Sequence, residues 1–95
     1  MSDIYKLYTF PNCDKCHDAK EIMQSRGIAY TEVDLGAREG KLEFGKIYFS
    51  IDSRLKKDEH KMALLPILLK FRDEATVDKL EDLVQGEDIK PYLLR

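Results

Sequence analysis

The residues with reactive side chains closest together in this 95-residue chain are Cys13-Asp14-Lys15-Cys16-His17, and Cys13 and Cys16 are its only cysteines. Two thiols in a C-x-x-C pattern can exchange disulfides, bind zinc, or attach haem when a histidine follows. A disulfide across so short a loop constrains little of the unfolded chain, so a purely stabilising role is not expected. Zinc needs further ligands, and His17 and His60 are the histidines available. His17 adjoins Cys16 and points about 100° away from it around a helix. Structural zinc sites, moreover, are usually built from two separated ligand pairs. No metal is expected. A haem would take Met23 or Met62 as an axial ligand. Covalent haem attachment usually follows export, and the start Met1-Ser2-Asp3 has no basic-then-apolar leader. The chemistry best supported is dithiol–disulfide exchange in a cytoplasmic setting.

The elements around the pair give each thiol a role. Ile4 to Phe10 is rich in aromatic and β-branched residues and predicts a strand. Pro11-Asn12 breaks it, and from Cys13 onwards Cys16, Ala19, Ile22 and Met23 recur at helical spacing up to the terminator Gly27. Cys13 thus opens a helix. The first N–H groups of a helix lack internal partners and carry partial positive charge, which stabilises a thiolate there. Cys16, one turn inward, falls on the apolar face. Cys13 is expected to attack a disulfide and Cys16 to resolve the mixed disulfide. Asp14 and Lys15 lie between them and are candidate substrate contacts.

The remaining chain predicts one small domain over residues 1–95. Ile28 to Leu35 resumes strand character, so the first three elements form a right-handed β-α-β unit with parallel strands. Residues 41–63 are expected to be mostly helical, with Phe44, Ile47, Tyr48, Ile51 and Leu55 on one side and an interruption at Asp52-Ser53. Arg54, Lys56, Lys57 and Lys61 form a basic cluster, expected as a solvated face. Pro66 precedes an apolar strand, Ile67 to Phe71, and Ala75-Thr76-Val77 is expected to return as its hairpin partner. Leu80, Leu83 and Val84 suggest a helix ending near Gly86, with Asp78 as its N-cap and Glu81 completing a capping box. Asp88 to Leu94 adds a last helical segment. The fold class is therefore α/β: a four-stranded mixed sheet in the order β-α-β, helix, β-β-α.

Composition agrees with one packed domain. Leu, Ile, Val and Phe make up 26 residues, above the roughly 20% below which disorder sets in. Charged residues reach 36% but nearly cancel, to a net charge of −2, which is not the clustered basic signature of a nucleic-acid binder. The longest apolar run, Met62 to Leu69, is too short to span a bilayer and contains a proline. Neither nucleic acid nor membrane is an expected partner.

With those elements in place the chain resembles the glutaredoxins of the thioredoxin superfamily. Lys6 to Cys16 is similar to their first strand and active-site loop, Gly27 to Asp34 to their second strand, and Leu64-Leu65-Pro66-Ile67-Leu68-Leu69 to the segment bearing their cis-proline. The resemblance implies a thioredoxin fold and a cis Leu65–Pro66 bond. It also implies that the backbone of Leu65 and Pro66 pairs with the incoming substrate. Their Gly-Gly-x-Asp-Asp segment aligns with Asp78-Lys79-Leu80-Glu81-Asp82, making Asp78 and Glu81 candidate substrate-binding residues. The glycines are missing, and Asp14-Lys15 replaces the usual Pro-Tyr, which weighs against glutathione as a tight ligand. The implied activity is reduction of protein or small-molecule disulfides. No organic cofactor would be bound, and electrons would come from glutathione or a thioredoxin-reductase-type donor. Two other outcomes fit the same fold. Asn12-Cys13-Asp14 is similar to arsenate-reductase-like proteins, and a non-catalytic binding or iron–sulfur module would use the same scaffold.

Overall fold

A computed structural model of the protein describes residues 2–95. Strand β1 (Asp3–Thr9) leads into helix α1 (Asp14–Ser25), then β2 (Thr31–Asp34) and α2 (Arg38–Ile51). A 3-10 turn (Asp52–Arg54) and an irregular stretch precede β3 (Ile67–Arg72), β4 (Leu80–Gln85) and a short α3 (Ile89–Leu93). The sheet order is β2-β1-β3-β4. β1 pairs parallel with β2 and antiparallel with β3, and β3 pairs antiparallel with β4.

The two central strands are covered on both faces, which explains their almost continuous apolar character. Successive side chains alternate between faces. Tyr8, Ile67, Leu69 and Phe71 pack under α2 with Ile47 and Ile51. Leu7 and Leu68 face the other way, against Ala19 and Met23 of α1 and Ile89 and Leu93 of α3. The expected face of α2 forms as the spacing predicts, with Phe44 and Tyr48 also on that core.

Two expectations fail. Leu80, Leu83 and Val84 lie in β4, not in a helix, and the returning strand of the hairpin is Leu80–Gln85, not Ala75-Thr76-Val77. The cause is a bulge. Lys70 pairs with Asp82 but Phe71 with Leu80, so Glu81 is an extra residue in β4. That extra residue brings Leu80 and Leu83 onto one face of the sheet, under α2. A three-residue spacing in a regular strand would split them, and here it imitates a helix.

The second failure is the length of α2. The helix stops at Ile51, and residues 55–66 form an irregular lobe closed by a bridge between Lys57 and Ala63. Side chains compete for the backbone there: the Asp58 carboxylate accepts from the N–H of His60 at 2.8 Å and of Met62 at 3.0 Å. No described helix is long and apolar enough to cross a membrane.

Candidate active site

β1 and α1 place the two cysteines. Asn12 adopts left-handed φ (62°), a conformation asparagine tolerates, and turns the chain from the sheet into the helix. Cys13 then caps α1: its φ and ψ are extended, and its Sγ accepts from the N–H of Cys16 at 3.2 Å. The sulfur occupies the position of a capping oxygen, at the positive end of the helix. Cys13 is half-buried and Cys16 is 2% exposed. The two are joined in a disulfide, with Cα atoms 5.2 Å apart.

The loop is buttressed from β2. The N–H of Leu35 donates to the carbonyl of Thr9 at 2.7 Å, and that of Gly36 to the Asp34 carboxylate at 2.8 Å. Gly36 lies so close to Pro11 that a Cβ there would fall 2.5 Å from the ring. Beside Cys13 opens a cleft of about 360 Å³, lined by Thr9 to Asp14, Cys16, His17, Lys20, Glu32 and Asp34. Its side chains are largely engaged. Glu32 accepts from the Thr9 hydroxyl at 2.8 Å and from Lys20 at 3.2 Å, and His17 pairs with Glu21 at 2.6 Å on the exposed surface. None of Arg54, Lys56, Lys57 and Lys61 lines the cleft; Lys56 is held by Asp88 and Lys57 by Asp52. Among the described residues, no three His, Cys, Asp or Glu side chains converge as metal ligands.

Leu65 and Pro66 lie at the same end of the sheet as the cysteines. Ile67 pairs with Tyr8, so Pro66 stands beside the start of the cysteine loop, and the Leu65–Pro66 bond is cis. The carbonyl of Leu64 accepts from the Gln85 side chain at 3.1 Å, and that of Pro66 from the N–H of Gly86 at 2.9 Å. Among the described residues, the N–H and C=O of Leu65 itself have no partner in the chain. Asp14 and Lys15 are exposed, and Lys15 reaches Glu87 at 3.2 Å.

Asp78 and Glu81 are not part of this site. Asp78 lies in the 3-10 turn Val77–Lys79 ahead of β4, where there is no helix for it to cap. Glu81 is the bulge residue of β4 and pairs with Lys70 at 3.2 Å and Arg72 at 3.1 Å. Both sit near Phe71 and Leu80, about 13 Å along β3 from Ile67 and its partner Gln85. The carboxylates at the site are instead Glu87 and Asp88, which follow Gly86 and are paired with Lys15 and Lys56. A glycine followed by two acids was a readable signal, hidden by the misplaced helix. Gln85 carried no signal of its own.

Comparisons with known proteins bear on the fold and on the segment that carries the cysteines. The sequence model of the glutaredoxin family matches residues 6–49, the stretch from β1 through most of α2 that carries both cysteines. A thioredoxin-like protein, BC3987, superposes with a TM-score of 0.58 at 19% identity, over 95% of this chain and 96% of that one. The glutaredoxin grx-1 of Archaeoglobus fulgidus gives 0.57 at 18% identity, over 96% of this chain and 85% of that one. These two likenesses show the fold. No curated protein matches the chain in sequence. The family match and the Cys13–Cys16 pair together support a thiol–disulfide oxidoreductase.

Proposed function

We propose that this glutaredoxin-like protein of the thioredoxin superfamily reduces disulfides in protein substrates, with Cys13 as nucleophile and Cys16 as resolving thiol. The observation that carries this assignment is the unequal placement of the two sulfurs: Cys13 half-exposed at the helix N-terminus, Cys16 2% exposed one turn inward. In the reduced protein the N–H of Cys16 and the helix dipole favour a Cys13 thiolate. That thiolate attacks one sulfur of the substrate disulfide, and the other leaves as a thiolate and takes up a proton. Cys16, deprotonated in turn, attacks Cys13 Sγ, releases the second substrate thiol and closes the Cys13–Cys16 disulfide. Two electrons from an external dithiol or two monothiols return the pair to the reduced state.

The unpaired N–H and C=O of Leu65 supply a two-point dock for an extended substrate backbone. Asp14 and Lys15 are placed to touch residues flanking the substrate sulfur. Glutathione or a thioredoxin-reductase-type donor would provide electrons in the cytoplasm. The α-amino group of glutathione would compete with Lys15 and Lys56 for Glu87 and Asp88, which favours protein disulfides as substrates. The test is reduction of a disulfide-bonded peptide, driven first by glutathione with its reductase and then by thioredoxin reductase. Turnover with either donor supports the assignment. No turnover with both refutes it.

A further inference from the structure

We infer that Gln85 is the positioning residue for the Leu65–Pro66 ledge, its buried carboxamide fixing the backbone on which a disulfide substrate docks. This rests on the exchange function proposed above and adds a residue to it. Gln85 is 4% exposed, so its carboxamide is buried. A buried amide without partners is costly, so what it binds is informative. All three of its hydrogen bonds reach across to the lobe before Pro66. Its Oε1 accepts from the N–H of Lys56 at 2.7 Å, and its Nε2 donates to the carbonyls of Lys56 at 3.0 Å and Leu64 at 3.1 Å.

The consequence falls on Leu65. The carbonyls on either side of it, of Leu64 and Pro66, are held by consecutive residues, Gln85 through its side chain and Gly86 through its N–H. Gly86 has φ 57°, which turns the chain away directly after the clamp. The free N–H and C=O of Leu65 are thereby aimed by β4, a rigid strand, although they belong to an irregular lobe. Lys56, the other clamped residue, also pairs with Asp88. Gln85 makes no hydrogen bond to the Cys13–Cys16 loop, so its removal should disturb docking and leave the nucleophile alone.

The experiment uses the full chain and two variants, Gln85→Ala and Gln85→Met, the second keeping the buried volume without the hydrogen bonds. Two rates are measured in each: turnover of a disulfide-bonded peptide, and alkylation of reduced Cys13 by iodoacetamide, which needs no ledge. Misplacement of a docking backbone by about an ångström is expected to lower kcat/KM roughly 10- to 100-fold. Cys13 alkylation should stay within about twofold of the parent. Exchange of the Lys56 amide proton, followed by NMR, should accelerate as its acceptor disappears. The inference is overturned if folded variants keep the parent's kcat/KM, or if alkylation falls in step with turnover, which marks general loosening. A Gln85→Met chain that does not fold also overturns it, making Gln85 a determinant of folding. A parent chain that reduces no peptide disulfide defeats the exchange function itself, and so is distinguishable from a failure confined to Gln85.

Discussion

Gly40 and Gly45 share helix α2, and replacing each by alanine should move stability in opposite directions. Gly45 is exposed in the middle of the helix, and a Cβ there meets nothing within 4 Å. Alanine in a helix interior is favoured over glycine by about 1 kcal/mol, so Gly45→Ala should stabilise by about that amount. Gly40 is buried in the first turn, and its Cβ would lie 1.7 Å from the carbonyl oxygen of Asp34. Ordinary contact begins at 3.4 Å, so α2 and β2 would have to separate by about 1.7 Å. Overpacking costs about 1–3 kcal/mol, and the obstacle is backbone that cannot rotate aside, so the upper end applies. Less the helix-propensity gain, Gly40→Ala should destabilise by about 2 kcal/mol. For a chain of this size 1 kcal/mol shifts Tm by about 4–8 °C, giving a rise of about that size for Gly45→Ala and a fall of about 8–16 °C for Gly40→Ala. Thermal unfolding followed by circular dichroism reads both. A Gly40→Ala protein that melts with or above the parent would show that α2 does not rest on β2 through this glycine. Asp34 also borders the cleft beside Cys13, so the same variant should alter Cys13 alkylation.

Three further outcomes follow from the geometry. In the reduced protein Cys13 should be alkylated at neutral pH much faster than Cys16, because one thiol is half-exposed at a helix N-terminus and the other is buried; mass spectrometry of partially labelled protein reads the ratio, and equal rates would contradict the assigned roles. Burial first, and then the Glu43 charge, pushes the Tyr8 phenol up to about 12. A raised phenol contributes stability that is complete below its unfolded value of about 10 and lost as pH rises towards 12, so Tyr8→Phe should unfold less readily than the parent, relative to pH 9, when both are denatured near pH 11.5. Asp78→Gly should leave glutathione binding unchanged in a Cys16→Ser background, because Asp78 lies at the far end of β4; a gain in affinity by NMR titration would put that turn back at the site.

The parts of the fold legible in the sequence are those set by local rules. Cys13 after Pro11-Asn12, the apolar series Cys16, Ala19 and Met23, and the face Phe44–Ile51 each follow from a period or a turn signal. Where two periods coincide, the sequence misleads. Leu80, Leu83 and Val84 satisfy helical spacing, and only pairing with β3 reveals the extra residue that produces it. That one misassignment carried Asp78 and Glu81 into the site and left Gly86, Glu87 and Asp88 out. The end of α2 was half-legible: Asp52-Ser53 marks the interruption, but the local bonds by which Asp58 holds the N–H groups two and four residues on, and so keeps the chain from resuming a helix, were masked by the helical spacing of the apolar residues. Gln85 was invisible for a related reason. A polar residue at a strand end is ordinary, and its role depends on the Lys56 and Leu64 backbone, which lies 21 or more residues away in sequence.

The central claim is that Cys13 attacks and Cys16 resolves, and covalent trapping tests it most directly. Cys16→Ser, incubated with a disulfide-bonded peptide and analysed by mass spectrometry without reductant, should accumulate one peptide per protein in a disulfide at Cys13, since no internal thiol remains to release it. Cys13→Ser should accumulate far less, its remaining thiol being buried. An adduct that forms more readily on Cys16 in Cys13→Ser, or a Cys16→Ser protein that turns the peptide over as fast as the parent with no adduct, would contradict the assignment.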